Sequence, residues 1–289
     1  MKKTSDVSLG YIAIIATSIL WSLGGLFIKL IPWSPLSINA ARCGIALLLK
    51  IAMRRSVKFK PSKTVIAAGV CFFLTTVLFS CATKLTTSAN AILLQFTSPI
   101  FIILFTWIKY KRKPSGYAVL TFAIIFAGIF LCFLDNAGLG NMFGNALAIL
   151  SGFFFGAMVF LNALPDADPD SSNMLGFFIG FVFGLPWLLG ETQFSVQIGL
   201  CVLVLGAFQL GLAYIIFEYG IRRVPALTAN FLMALEPILN PIWVAVFYHE
   251  SIGAFAIIGG ALVVIAVLFY STVNARLAKR SSDAVSLDV

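Results

Sequence analysis

The 289 residues are 60% hydrophobic and 11% charged, with 20 Lys and Arg against 11 Asp and Glu, a net charge of +9 and a mean hydropathy of +1.01. A water-soluble domain carries about 25% charged residues, so a soluble fold of this length is excluded. The positive charge does not point to nucleic acid, because most Lys and Arg sit in short loops beside apolar runs, where their ordinary job is to orient membrane spans.

Apolar stretches of roughly 18 to 22 residues recur along the chain, each long enough to cross a hydrocarbon core of about 30 Å. Within lipid they must be helical, since no water is there to satisfy the backbone. The predicted spans lie near 9–31, 35–53, 64–83, 88–108, 115–134, 142–163, 172–190, 197–219, 225–247 and 252–273. The first follows Met1, Lys2 and Lys3. Its length, Lys29 near its far end and the lack of a small-residue cleavage pattern mark it as a retained span rather than a signal peptide. Pro32, Pro35, Pro61, Pro114, Pro165, Pro169 and Pro225 fall at or near the ends, as residues without an N–H should. The expected fold class is an all-α integral membrane protein with about ten transmembrane helices.

With the amino terminus inside, the inner loops collect Arg54, Arg55, Lys58, Lys60 and Lys63, then Lys109, Lys111, Arg112 and Lys113, then Arg222 and Arg223. The tail adds Arg276, Lys279 and Arg280, while the outer side receives Lys84, apart from Lys29 and Arg42 within or near span ends. Asp166, Asp168 and Asp170 also fall inside, but acidic residues count little in this rule. Both termini are therefore expected on the cytoplasmic side of the cell membrane.

Cys43, Cys71, Cys81, Cys132 and Cys201 all lie in apolar runs with no CxxC pair, and read as reduced packing residues. No metal site and no cofactor is expected. His249 and Glu250 begin an HExxH pattern, but Gly253 stands where its second histidine belongs and the chain has one His in all. A catalytic site is not expected, and Glu250 suits the start of the next helix, where a carboxylate meets free N–H groups.

Sliding the chain on itself aligns Gly10 to Pro35 with Gly144 to Pro169, and Ala82 to Leu131 with Gly220 to Phe269, without gaps. Pro99 then meets Pro237, and Tyr110 meets Tyr248. The division is a first repeat over 1–135, a second over 141–275 and a tail over 276–289. Five spans per half is an odd number, so the second half runs opposite to the first, an arrangement typical of transporters.

The stretch Ala213 to Val264 resembles the second EamA-type domain of the drug/metabolite transporter superfamily. The matching features are Tyr214, the loop Arg223 to Ala226, Pro237 after Glu236, Glu250, Gly259 and Gly260. In the first half, Ile19, Leu20, Trp21 and Ser22 with Lys29 resemble the first-span pattern, and Arg42 the second-span arginine. Arg112 departs from it, standing where the first repeat often has an acidic residue. The resemblance covers nearly the whole chain and implies two inverted five-helix repeats, a central cavity, and export or uptake of metabolites such as amino acids.

Polar groups deep in a span cost roughly 2.5 to 3.5 kcal/mol when charged, so each should face protein or water. Glu236 sits near the middle of the ninth span, directly before Pro237. At 100° per residue it shares a stripe with Met233, Asn240, Trp243 and Phe247, with Asn230 at the margin. This stripe reads either as a cavity wall for an amphipathic solute or as a structural carboxyl facing another helix. Protonation of Glu236 could also couple transport to protons. In the fourth span Gln95 shares a face with Ser88 and Ser98, and is expected to line a cavity or bond a neighbouring helix. In the eighth, Gln209 lies opposite Tyr214 and Glu218, so both faces cannot line one cavity. Tyr214 is favoured, and Glu218 is expected to pair with Arg222 four residues on. Trp21 reads as cavity or core. Arg42 could bind an anionic group or reach headgroups, and Lys29 is expected to snorkel outward. The expected function is a secondary transporter working by alternating access. Its expected partners are a small solute and membrane lipid, with no nucleic acid. A flippase for a lipid-linked precursor and a sugar-phosphate or nucleoside carrier are the alternatives.

Overall fold

The computed structural model describes residues 4–53, 59–86, 88–111, 113–134, 141–239, 243 and 254–287. Among the described residues every regular element is a helix. Among the described residues seven helical segments are long and apolar enough to cross a membrane: Asp6–Leu30, Pro35–Met53, Lys63–Leu85, Asn90–Tyr110, Met142–Asn162, Pro169–Leu189 and Val196–Ile221. Shorter apolar helices, Gly116–Leu131, Ala226–Leu239 and Ile257–Tyr270, take the places of the fifth, ninth and tenth expected spans. Large apolar side chains such as Ile12, Leu48, Leu120 and Ile265 are more than half exposed. That surface suits lipid, and the protein is a multi-pass membrane protein.

Six helices run without interruption: α3 (Pro35–Met53), α4 (Lys63–Leu85), α7 (Gly116–Leu134), α8 (Met142–Asn162), α9 (Pro169–Leu189) and α13 (Ala254–Leu287). The last continues through the segment that the apolar pattern assigned to a tail. Local chemistry sets several starts. Ser62 accepts from Val65 N–H at 3.1 Å, Ser195 from Ile198 N–H at 3.1 Å, and Asn141 from Phe143 N–H at 2.8 Å. Each is a side-chain oxygen meeting an N–H that the helix itself cannot satisfy.

The remaining spans are broken. The first consists of α1 (Thr4–Trp21) and α2 (Gly24–Leu30), and the fourth of α5 (Ser88–Gln95) and α6 (Ser98–Tyr110). The eighth consists of α10 (Val196–Leu203), a π-helix over Val204–Leu212, and α11 (Ala213–Ile221). After α12 (Ala226–Leu232) a turn at Met233 and Ala234 precedes a further helical stretch over 235–239.

Two layers of loops close the bundle ends. At the amino-terminal face Thr64 donates to Asp166 at 2.6 Å, Lys60 N–H to Ser171 at 3.2 Å and Arg222 to Asp168 at 2.7 Å. At the distal face Trp33 donates to the Gln193 carbonyl at 2.6 Å and Ser34 N–H to Glu191 at 2.9 Å. Lys29 is exposed near the distal end of the first span, and its Nζ donates to the Thr86 carbonyl at 2.8 Å, where α4 ends with carbonyls lacking a helical partner.

At the centre α3 packs on α9, and α4 on both α8 and α9, while α3 also meets the π-helix, α1 meets α11, and α7 pairs with α13. Glycines set the closest approach. A Cβ on Gly184 would lie 2.5 Å from the Leu36 carbonyl oxygen, and one on Gly180 2.8 Å from Cys43 Sγ, so α9 rests almost backbone to backbone on α3.

Candidate functional site

The four interrupted spans meet around one cavity. Trp21 closes α1, Gln95 closes α5, Ser98 opens α6, Gln209 sits in the π-helix, and Met233 and Glu236 flank the turn after α12, and all of them line it. Arg42 of α3, Thr75 and Thr76 of α4 and Phe155 of α8 complete the wall. The space open to water inside it is about 50 Å³, room for a few waters and well below the roughly 300–1,000 Å³ of a filled small-molecule site. Irregular backbone is tolerated at membrane depth only where protein or a water-filled cavity surrounds it, and here the helix breaks coincide with the cavity wall.

Two of the breaks have a local cause. Pro99 and Pro237 lack the N–H that would continue the helix, and the chain tightens to compensate: Thr97 N–H bonds the Leu94 carbonyl at 3.2 Å and Glu236 N–H the Met233 carbonyl at 2.9 Å. Gly152 lets α8 press on the first break, since a Cβ there would come within 2.6 Å of the Gln95 carbonyl oxygen. The α8 contact also anchors Gln95, whose Nε2 donates to Ser151 at 2.7 Å, and Ser151 in turn donates to the Thr75 carbonyl at 2.9 Å.

Arg42 does not reach headgroups. It is 1% exposed; Nε and Nη2 bond Asn39 Oδ1 at 3.3 and 3.1 Å, and Nη2 bonds the Thr76 carbonyl at 2.8 Å. Those contacts hold a fixed positive charge against the cavity. The Glu236 carboxyl has no hydrogen bond or ion pair among the described residues, and it lines the same space as the Arg42 guanidinium. Trp21 Nε1 and Gln209 Oε1, also in the wall, are buried without a hydrogen-bond partner among the described residues. Buried polar atoms are almost always satisfied, and a donor and an acceptor left open in one cavity suit a polar occupant.

Tyr214 and Gln209 both line the cavity, which corrects the expectation that they face opposite ways. That expectation assumed 100° per residue. In the π-helix bonds run from residue i to i+5; Ala213 N–H still reaches the Phe208 carbonyl. Residues five apart stack on one side of such a coil, and Gln209 and Tyr214 are five apart.

Beneath the cavity, toward the amino-terminal face, Trp21, Tyr214, Phe72, Phe177 and Phe217 form an aromatic floor, with ring centroids 4.9 Å apart for Trp21–Tyr214 and 4.6 Å for Phe72–Tyr214. Below it lies buried Lys50, whose Nζ meets Glu218 and, at 3.2 Å, Asp170, while Asn173 donates to Glu218 at 2.8 Å. Glu218 thus pairs with a lysine from another helix, and Arg222, in the turn that ends α11, reaches Asp168. A lysine with 1% exposure needs carboxylates close by, and Glu218 points inward where Lys50 is.

Of the residues chosen from sequence, Glu236, Gln95, Tyr214, Trp21 and Arg42 line the cavity. Asn230 does not: it is fully buried and exchanges hydrogen bonds with Ser98 at 3.1 and 3.3 Å. Trp243 does not either, its indole donating to Ser22 at 2.7 Å. Met233 and Glu236 of the expected stripe both line the cavity, and Phe247 lies outside the described residues. Asn240, His249 and Glu250 lie outside the described residues.

The model of the EamA-like transporter family matches this chain twice, over residues 8–134 and 142–272. An uncharacterized transporter of Archaeoglobus fulgidus is 24% identical over 262 residues, covering 90% of this chain and 95% of that one. The uncharacterized transporter YwfM of Bacillus subtilis is 25% identical over 272 residues, covering 89% and 92%. A protein crystal structure superposes with a TM-score of 0.78 at 18% identity, over 96% of this chain and 99% of that one, a likeness of fold.

Proposed function

Because this chain belongs to the EamA-like transporter family, we propose that it is a secondary transporter moving a small amphipathic metabolite, an amino acid by preference, across the cytoplasmic membrane by alternating access. The observation that carries the reading is the meeting of three helix breaks and a π-helix around one polar cavity, because discontinuous helices at mid-depth are how membrane carriers build binding sites. Arg42 offers a fixed charge for a carboxylate, Glu236 a carboxyl for an ammonium group, and Trp21 and Tyr214 apolar surface beside them.

Ten spans in two inverted halves are part of the proposal. Exchange of the halves supports it, since the packing of α4 on α8 recurs as α11 on α1, and that of α3 on the π-helix as α9 on α4. Both termini are assigned to the cytoplasm from the Lys and Arg of the amino-terminal-face loops. The aromatic floor and the Lys50 cluster close that face, and the cycle requires them to part.

Uptake into proteoliposomes with labelled amino acids, nucleosides and sugar phosphates tests the substrate class. Saturable amino-acid uptake, lost in Arg42→Gln, is the expected result. Saturable uptake of sugar phosphates or nucleosides alone overturns it. A second reading, proton coupling through Glu236, is favoured by that side chain facing the cavity without a partner among the described residues. Retained pH-driven uptake in Glu236→Gln disposes of it.

A further inference from the structure

A second cavity opens at the amino-terminal face, among α6, α7, α8, the start of α12 and Tyr270 of α13. It offers about 320 Å³ of open space. Its inner end is buried and apolar, at Ile102 and Ala118; its outer end is exposed, at Tyr110, Lys113 and Pro114. Along α6, Ile102 to Tyr110 corresponds to a depth of roughly 12 Å.

The cavity exists because the helices pair. α6 lies on α8 and α7 on α13, with α12 reaching α6, α8 and α13, and the space is what these two pairs leave between them. An unfilled void forfeits the dispersion contacts of its walls, and water gains little there, because the Thr106 hydroxyl is already committed to the Ile102 carbonyl at 2.7 Å. A hydrocarbon chain fits such a lining.

The mouth is basic. Lys113 has no ion pair among the described residues, and exposed Lys109 in the last turn of α6 and Lys111 at its end precede it. Asp166, on the same face, already accepts from Thr64 and also faces Lys109. Basic pockets between spans at this depth attract anionic headgroups. We propose that this cavity binds one acyl chain of an anionic phospholipid, with its phosphate on Lys113. The site is separate from the central cavity and does not rest on the substrate assignment.

Native mass spectrometry of the purified full chain, titrated with phosphatidylglycerol and phosphatidylcholine of identical acyl chains, tests it. Wild type is expected to retain phosphatidylglycerol in preference. Lys113→Ala, on an exposed loop where folding is not at stake, should cut that preference about fivefold, the ratio corresponding to one lysine near an anionic headgroup. Ala163→Phe, which fills the cavity from its exposed rim, should lower retention of both lipids. Equal retention of the two lipids by wild type, or an unchanged preference in Lys113→Ala, overturns the proposal. If Ala163→Phe fails to fold, the lysine variant decides the matter alone.

Discussion

Replacing Gln209 by leucine separates a ligand-binding role from a structural one, because the two predict opposite signs. Gln209 is 6% exposed and its Oε1 is buried without a partner among the described residues. An unsatisfied buried acceptor costs about 1–3 kcal/mol, a penalty that the empty protein carries and a bound ligand relieves. Leucine has a similar shape and removes it. The unliganded Gln209→Leu protein should therefore unfold at the wild-type temperature or up to a few degrees above it, each 1 kcal/mol being worth roughly 2–4 °C for a chain of this size class. Transport should move the other way. Loss of the same 1–3 kcal/mol from the bound state raises KM about 5- to 150-fold. Differential scanning fluorimetry in detergent and proteoliposome kinetics measure the two effects separately. A destabilised variant with unchanged KM would show that Gln209 holds the helices together rather than meeting the solute, and the reasoning would be wrong.

Lys50→Met should cost about 3–5 kcal/mol, since it strands Glu218 in a buried site. Adding Glu218→Leu should restore a large part of that in chemical unfolding, whereas additive losses would refute the pairing. Gly152→Ala places a methyl 2.6 Å from the Gln95 carbonyl oxygen and should cost about 1–3 kcal/mol while lowering transport. Gly116→Ala meets nothing within 4 Å and serves as the neutral comparison. Burial works against ionisation of Asp168, but bonds from Ser171 and from Arg222 outweigh it and hold its carboxyl below the ordinary value. A depressed folded-state pKa means that the stabilisation is complete above about pH 4 and fades as pH falls through the lower folded value. Asp168→Asn should therefore flatten the acid limb of a stability-versus-pH curve, and an unchanged limb would assign that limb to other carboxylates.

The membrane class and, among the described residues, seven segments of spanning length were readable in the chain itself. Length and apolarity settle whether a segment can cross lipid, and a polar group at mid-depth has to face protein or water, which points to Gln95 and Glu236, whereas the chain alone left Trp21 between cavity and core and Arg42 between an anionic ligand and the headgroups. Register was the missing information. Gln209 was placed on the wrong side because one turn of π-helix shifts every face after it, and no residue type in Val204–Leu212 announces that turn. Trp243 and Asn230, expected on the cavity wall beside Glu236, bond Ser22 and Ser98 from other helices. The partner of Glu218 required knowing that α3 lies beside α11. Local spacing offers Arg222, and only the packing of distant helices brings Lys50, 168 residues away, within reach. Composition determines where helices can be in a bilayer, because the solvent imposes that on every residue. Which side chains share a pocket depends on helix rotation and on contacts between remote segments, and those exist only once the bundle is assembled.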